Sequence, residues 1–296
     1  MPPTLPRDLL LHLRIPFSLF LMPVYWFALS QSQYPDLGRA VAVFAILHLL
    51  IYPASNAYNS YFDRDEGPIG GLENPPPVDE RLHRLAWALD GLALVLSLVL
   101  VGWPFAVAML VYTTISKAYS NDKIRLKKYP VLSWLVIGLF QGGFTYLAVL
   151  QAVDDLPLTE LIRWQHGFPA LLATANLLGF YPMTQIYQHD EDARRGDLTM
   201  SRLLGIRGTF LFTGAVFGLV TLGFFFFLWE KTAFGIPQIV LYLACLGPVV
   251  IYFLTWQLRA FRDARQANFR STMNLNALGS LSLNAFFGLL TLTRFF

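Results

Sequence analysis

Cysteine is nearly absent: Cys245 is the only one in 296 residues, and it lies inside the apolar run 239–253. A lone cysteine excludes an intrachain disulfide and a multi-cysteine metal site, and leaves packing as its ordinary role. Charge is scarce as well. Charged residues make up 14% of the chain against 55% hydrophobic residues, and the mean hydropathy is +0.48; an ordinary soluble enzyme is far more polar. The histidines, His12, His48, His83, His166 and His189, are dispersed, with no pair at metal-ligand spacing on one helix. A net charge of +3 gives no electrostatic footprint for nucleic acid, which is not an expected partner. Residues 1–16 contain Pro2, Pro3, Pro6 and Pro16, and no small-residue cleavage pattern follows the first apolar run, so a removable signal peptide is not expected.

Long apolar runs are present in abundance. Between charged or Pro/Gly breaks they predict helices near 9–30, 38–58, 83–102, 104–120, 131–151, 168–189, 208–229, 236–258 and 275–295, most of them near the 20 or so residues that cross a bilayer. The expected fold is all-α: one domain over 1–296, a polytopic membrane bundle of about nine transmembrane helices in the lipid bilayer. Sorting Lys and Arg by loop tests that division. One face collects eighteen, from Arg7 to Arg270, and the other only Arg39, Arg163, Lys231 and Arg294. The positive-inside rule then makes the N-terminus and the basic loops cytoplasmic.

That rule does not require acids on the same face, yet fourteen of the nineteen Asp and Glu fall there if Asp90 is included. They form two clusters. The first follows the second apolar run: Asn59, Asp63, Asp65 and Glu66, then Gly67, Gly70, Gly71 and Pro75 to Pro77. If the helix continues, Asn59 and Asp63 share a face, with Glu66 three residues further on. One amide oxygen and two carboxylates are hard ligands of the kind Mg²⁺ takes, together with water and phosphate. The glycines and prolines then supply a loop able to bend over a ligand.

The second cluster, Gln188, Asp190, Glu191, Asp192, Arg194, Arg195, Gly196 and Asp197, follows the sixth run. Helical spacing puts Gln188 and Asp192 on one side with Glu191 beside them, and Asp190 on the opposite side. Three consecutive carboxylates repel one another and cost about 2.5–3.5 kcal/mol each at a bilayer centre, so they belong at the interface, in a wet cavity or around a cation. Either cluster alone also fits a solvated loop with local Asp–Arg pairs. Two at matching helix ends fit better as a facing pair that clamps metal-bound phosphate. The connection between the fourth and fifth runs adds Lys117, Lys123, Arg125, Lys127 and Lys128 on the same face. Many of these are headgroup anchors, and the remainder can take the charge of a diphosphate leaving group.

These residues resemble the UbiA superfamily of intramembrane prenyltransferases, whose members share nine helices and two aspartate-rich cytoplasmic motifs. Asn59, Asp63 and Arg64 match the first motif, Asn-x3-Asp-x3-Asp, with Gly67 in place of its last aspartate. Asp192 and Gly196 match the second, Asp-x3-Asp-x3-Gly, with Gln188 where its first aspartate belongs and Thr199 in a familiar place. Tyr119, Ser120, Arg125, Leu126, Lys127 and Pro130 resemble a third family segment. Asp65, Glu66, Asp190 and Glu191 lie within a turn of the two missing carboxylates. The resemblance implies Mg²⁺ held by Asn59, Asp63, Glu66, Asp190 and Asp192, with Asp63 and Asp192 catalytic, and diphosphate bound by Arg64, Lys123, Arg125, Lys127 and Arg194. It also implies a polyprenyl diphosphate donor, a lipophilic acceptor and a bacterial plasma membrane with the site loops cytoplasmic.

The same machinery fits a terpene cyclase that quenches its cation internally. A transporter would place charges deep in several helices, and here the strong acids cluster at helix ends. An inactive scaffold is the reading that Gly67 and Gln188 keep open. Asp90, Asn176, Gln185, Asn274, Asn276 and Asn284, in or near apolar runs, are expected to bridge helices more than to touch an acceptor. The run Phe224 to Phe227 is expected to face lipid.

Overall fold

Apolar segments in lipid must satisfy their own backbone groups, and a helix does so within the segment. The computed structural model describes residues 6–231 and 235–295, so the prolines at positions 2 and 3 lie outside the described residues. It is all-α, with no strand among the described residues. The long helices are α1 (Arg7–Gln31), α2 (Leu37–Asp63), α3 (Arg81–Val101), α4 (Trp103–Ser120), α5 (Pro130–Asp154), α6 (Trp164–Gln185), α7 (Met200–Glu230), α8 (Ile236–Arg262) and α9 (Phe269–Thr293). Seven of them, all but α4 and α6, are long and apolar enough to cross a membrane, which makes this an integral membrane protein. The other two coincide with expected spans but are more polar: α4 carries Thr113, Thr114, Ser116 and Lys117, and α6 carries Asn176 and Gln185 with Pro169 and Pro182 inside.

Each helix packs on its neighbour in sequence, and α9 returns to α1, so the bundle is a closed ring. The connections after α2, α4 and α6 meet at one end, called here the acidic end, through pairs such as Arg125 with Asp197. Helix α5 widens into a π-helical turn over Leu139–Phe144 where it meets α6. Gly142 is required at that approach, since a Cβ there would lie 2.7 Å from the Thr174 Cα. Gly143 N–H donates to Thr174 Oγ1 at 3.0 Å beside it.

The structure departs from the expected helix at two places. Helix α6 begins at Trp164 and stops at Gln185, so the second acidic cluster sits on a separate short helix, His189–Arg194. The phenylalanine run does not simply face lipid. Phe224 and Phe227, one helical turn apart, are buried against Phe27, which stacks on Phe287 at 4.5 Å, and Phe226 is exposed. Cys245 is a free thiol packed against this core. Asp90 of α3 is also accounted for: it pairs with Lys117 of α4 at 2.5 Å, both buried, and the Lys117 Nζ lies 4.6 Å from the Tyr58 ring centre. Neither charge is tolerable alone in such surroundings.

Candidate active site

The first cluster is shaped by where α2 ends. Arg64 takes the left-handed conformation (φ 47°), and its N–H turns back to the Ser60 carbonyl at 3.0 Å. The helix therefore keeps Asn59 and Asp63 on one face, and Glu66 falls in the loop beyond it. Asn59 Nδ2 donates to Asp63 Oδ2 at 2.6 Å and to Ser120 Oγ of α4 at 3.0 Å. Asp63 is 3% exposed. Its Oδ1 makes no hydrogen bond and is matched only by charge, 2.7 Å from Lys127 Nζ and 3.8 Å from Arg125 and from Arg195. Asp65 faces the same space, with Arg195 Nε 3.5 Å away. Burial, then the Asp63 charge, pushes its carboxyl up to about 6.

From the other side, the short helix presents Asp192, whose Oδ2 accepts from Thr199 Oγ1 at 3.1 Å. Burial outweighs the pull of Lys127 and Thr199 and pushes Asp192 up to about 6 as well. Asp197 behaves in the opposite way. Burial would raise it, but Arg125 donates two hydrogen bonds of 2.9 Å, and with Lys127 3.3 Å away the carboxyl is held below its usual range.

Together these groups bound a cavity of about 220 Å³. Asn59, Asp63, Lys127 and Asp192 line it, and Arg125 adjoins it through Asp63 and Asp197. Four other predicted residues, Glu66, Asp190, Lys123 and Arg194, are exposed and do not line the cavity, while Arg64 is exposed over the Tyr61 ring. Asp65, noted from the sequence as lying within a turn of a missing carboxylate but not among the expected ligands, lines the site, and Asp197 and Arg195, which had no assigned role, adjoin it; their proximity to the motifs was the available signal. Arg14 had no such signal. It is buried at the start of α1, lines the cavity, and donates to Gly70 O at 3.2 Å and Asn56 O at 3.1 Å, tying the glycine loop to α2. Tyr119 and Tyr181, hydrogen-bonded to each other, form part of the inner wall.

The donor chemistry fits a hard divalent cation: one amide and three carboxylates, Asn59, Asp63, Asp65 and Asp192, converge from two connections, and one buried carboxylate oxygen lacks a hydrogen bond. No group of three acids, histidines or cysteines among the described residues is drawn in to ligating distance; Lys127, Arg125 and Arg195 hold the acids instead.

Farther from this end is a second, apolar cavity of about 350 Å³, enclosed by α1, α6, α7, α8 and α9. Phe20, Phe180, Phe217 and Phe253 contribute to its walls. Asn276 also lines it, buried, with no partner for its Oδ1.

Among solved structures, a UbiA homolog from Archaeoglobus fulgidus bound to GPP and Mg²⁺ is similar over 96% of this chain and 99% of its own, with a TM-score of 0.68 and 18% identity. The apo structure of a UbiA homolog from Aeropyrum pernix K1 covers 92% and 97% with a TM-score of 0.65, also at 18% identity. A structure described for digeranylgeranylglyceryl phosphate synthase gives 95% and 96%, 0.56 and 16%. At these identities the likeness establishes a shared fold. Among curated proteins no sequence matches the chain. Residues 20–278 match the UbiA prenyltransferase family, and with the acidic clusters, the closed ring and the fold in agreement, the chain belongs to that family.

Proposed function

We propose that this protein transfers a polyprenyl group from a polyprenyl diphosphate to an apolar acceptor inside the membrane, releasing diphosphate at the acidic end. The observation that carries the reading is that Asp63 and Asp192, from separate connections, face one cavity beside Lys127. In this reading Asn59, Asp63, Asp65 and Asp192 hold Mg²⁺, which when bound offsets the negative charge of the diphosphate. Lys127 and Arg195 pair with Asp63 and Asp65 beside the cavity, where their cationic groups would meet phosphate oxygens, while Arg125 stays held by Asp197. Departure of diphosphate needs charge stabilised at the leaving oxygen more than it needs a base. The inner wall suits what remains: Tyr112, Phe140 and Tyr181 offer ring faces to an allylic cation and keep water out. The apolar cavity is matched to the donor's hydrocarbon chain. The structures of the Archaeoglobus fulgidus homolog bound to GPP and Mg²⁺ and to DMAPP and Mg²⁺ support the donor class. The lysine and arginine asymmetry supports an acidic end facing the cytoplasm.

The test is diphosphate release by detergent-purified protein, offered farnesyl, geranylgeranyl and longer polyprenyl diphosphates, with Mg²⁺ or EDTA and a lipid extract as acceptor source. Mg²⁺-dependent release with a new prenylated product, identified by mass, is expected. A cyclic hydrocarbon formed without acceptor, or no release from any donor, would overturn the transferase reading.

A further inference from the structure

The two positions at which the chain departs from the family's acidic motifs, Gly67 and Gln188, touch the opposite connection in this fold. Glu191, on the short helix, reaches across to the first cluster, where its Oε1 accepts the Glu66 N–H at 3.0 Å. Its other oxygen, Oε2, lies only 2.6 Å from where a Cβ on residue 67 would be. A Cβ at position 67 would displace the Glu191 carboxylate, the far end of a flexible side chain, so glycine is the residue that leaves this contact undisturbed. One residue further on, Gln188 Nε2 donates to the Pro68 carbonyl at 3.2 Å. A carboxylate at 188 would set oxygen against oxygen, so an amide is what that contact demands. Both links join residues 66–68 to residues 188–191, and both lie beside the cavity that Asp65, Gln188 and Asp192 line.

We infer that Glu191 and Gln188 are positioning residues that latch the two acidic connections together before any cation binds. Two facing acidic segments repel each other, and a site that relies on the metal to draw them in spends part of the metal's binding energy on ordering them. Here one hydrogen bond from a backbone N–H to a carboxylate and one neutral amide-to-carbonyl bond take over that work, with Arg195 adding a third tie from the second connection to Asp63 and Asp65. Asp65 and Asp192 are thereby held at the cavity wall in the metal-free protein, which lowers the cation concentration the site requires. The dependence on cation rests on the proposed function; the latch itself does not.

The test reads order and metal binding without turnover. Hydrogen exchange of amides 65–70 and 188–192 is followed in EDTA and in Mg²⁺, on full-length protein in detergent. In the unaltered chain these amides are expected to exchange slowly in EDTA and to change little with Mg²⁺. Gln188→Leu and Gly67→Ala each break one contact and are expected to speed exchange in EDTA by about tenfold, the scale of one lost hydrogen bond. Mg²⁺ restores protection in Gln188→Leu, whose Mn²⁺ affinity, read by electron paramagnetic resonance, falls by a similar factor. Glu191→Gln keeps an acceptor for Glu66 N–H and is expected to retain both protection and affinity, which separates a latch from a metal ligand. Thermal unfolding confirms that each variant is folded, and if Gly67→Ala is not, Gln188→Leu carries the test. Fast exchange in EDTA by the unaltered chain, relieved only by Mg²⁺, would overturn the latch. Loss of Mn²⁺ binding in Glu191→Gln would make Glu191 a ligand instead. If prenyl transfer is never observed but the exchange pattern holds, only the proposed function fails.

Discussion

At the acidic end, about 220 Å³ of space is bounded by carboxylates and Lys127 on one side and by aromatic and aliphatic side chains on the other; farther into the bundle, about 350 Å³ is bounded mainly by phenylalanine, leucine and valine, with an unpartnered amide oxygen at Asn276. The polar cavity is assembled from the ends of α2 and α6 and the connections beyond them, where the chain is free to leave helical geometry. The apolar cavity is built from the middles of five helices, where it is not. Charge is concentrated at the ends of helices, and apolar volume lies along their middles, where a hydrocarbon chain would lose least on leaving a bilayer. Under the proposed function the two cavities would take the two halves of a lipid diphosphate, and altering them should have separable consequences.

The largest effect is expected at the polar cavity. Asp63→Ala and Asp192→Ala each remove a carboxylate from the cation cradle and should lower diphosphate release by at least about 10²–10³-fold, the scale on which a single electrostatic stabiliser acts. Insertion into the membrane should be unaffected, since Asp63 and Asp192 sit at helix ends. The readout is release per mole of folded protein. Near-normal turnover in either variant would remove these residues from the site.

Proton competition should come next. Asp65 and Asp192 are both pushed up to about 6. A folded-state pKa above the ordinary carboxylate value means that the metal-free fold is penalised by ionisation above pH 6 and relieved of that penalty as pH falls toward 4. Cation binding runs the opposite way, because it requires the ionised forms: full affinity above pH 6, lost as pH falls through it. Between pH 7.5 and pH 5 the affinity should drop about tenfold per carboxylate, or roughly 100-fold for the two. The thermal stabilisation given by Mg²⁺ should shrink over the same interval. Asp197, held below its usual range by Arg125 and Lys127, should not contribute.

The two cavities also differ in how far the sequence revealed them. Asn59 and Asp63 could be paired because one helical turn is visible as a spacing of four, and the structure keeps them on one face. Glu66 was grouped with them on the assumption that the helix continues, and the left-handed Arg64 ends it instead. Nothing in a lone arginine announces that turn. Gln188 and Asp192 were read as one helix face, and both do line the cavity, but on a separate short helix that follows the end of α6 at Gln185, with Gln188 as its cap. Arg14 belongs to the site through a packing of α1 against α2 that no local pattern encodes. The all-helical membrane bundle was legible from apolar runs, whereas its closure into a ring was not. The apolar cavity was not, because Phe180, Phe217 and Phe253 have the same sequence character as the lipid-facing residues around them. Only the three-dimensional arrangement separates a wall from a surface, as Phe224 and Phe226 also show.

A smaller and more selective effect is expected from filling the apolar cavity. A Cβ on Gly279 would meet Phe180 at 3.6 Å and Val249 at 4.0 Å, ordinary contact distances, so alanine is tolerated and leucine projects into the space. Gly279→Leu should leave release from a short donor such as dimethylallyl diphosphate nearly unchanged and lower kcat/KM for a long polyprenyl donor by about tenfold, the cost of misplacing one or two methylenes. Equal losses for short and long donors would show that the chain takes another path.

The smallest effect tests why one of the two amides lining the apolar cavity, Asn276, is buried with an unpartnered oxygen. Asn276 is 2% exposed, and its Oδ1 has no partner. A buried polar atom without a hydrogen bond is a cost, and replacement by an apolar group of similar shape removes it. Asn276→Leu should therefore stabilise the metal-free protein by about 1 kcal/mol, seen as a higher unfolding temperature in detergent. If the amide is retained for a hydrogen-bond donor on the acceptor, the same variant should raise KM for acceptor while leaving KM for the prenyl donor unchanged. A rise in stability with no change in either KM would make Asn276 a packing imperfection, and the polar cavity would then carry all of the recognition that depends on hydrogen bonds.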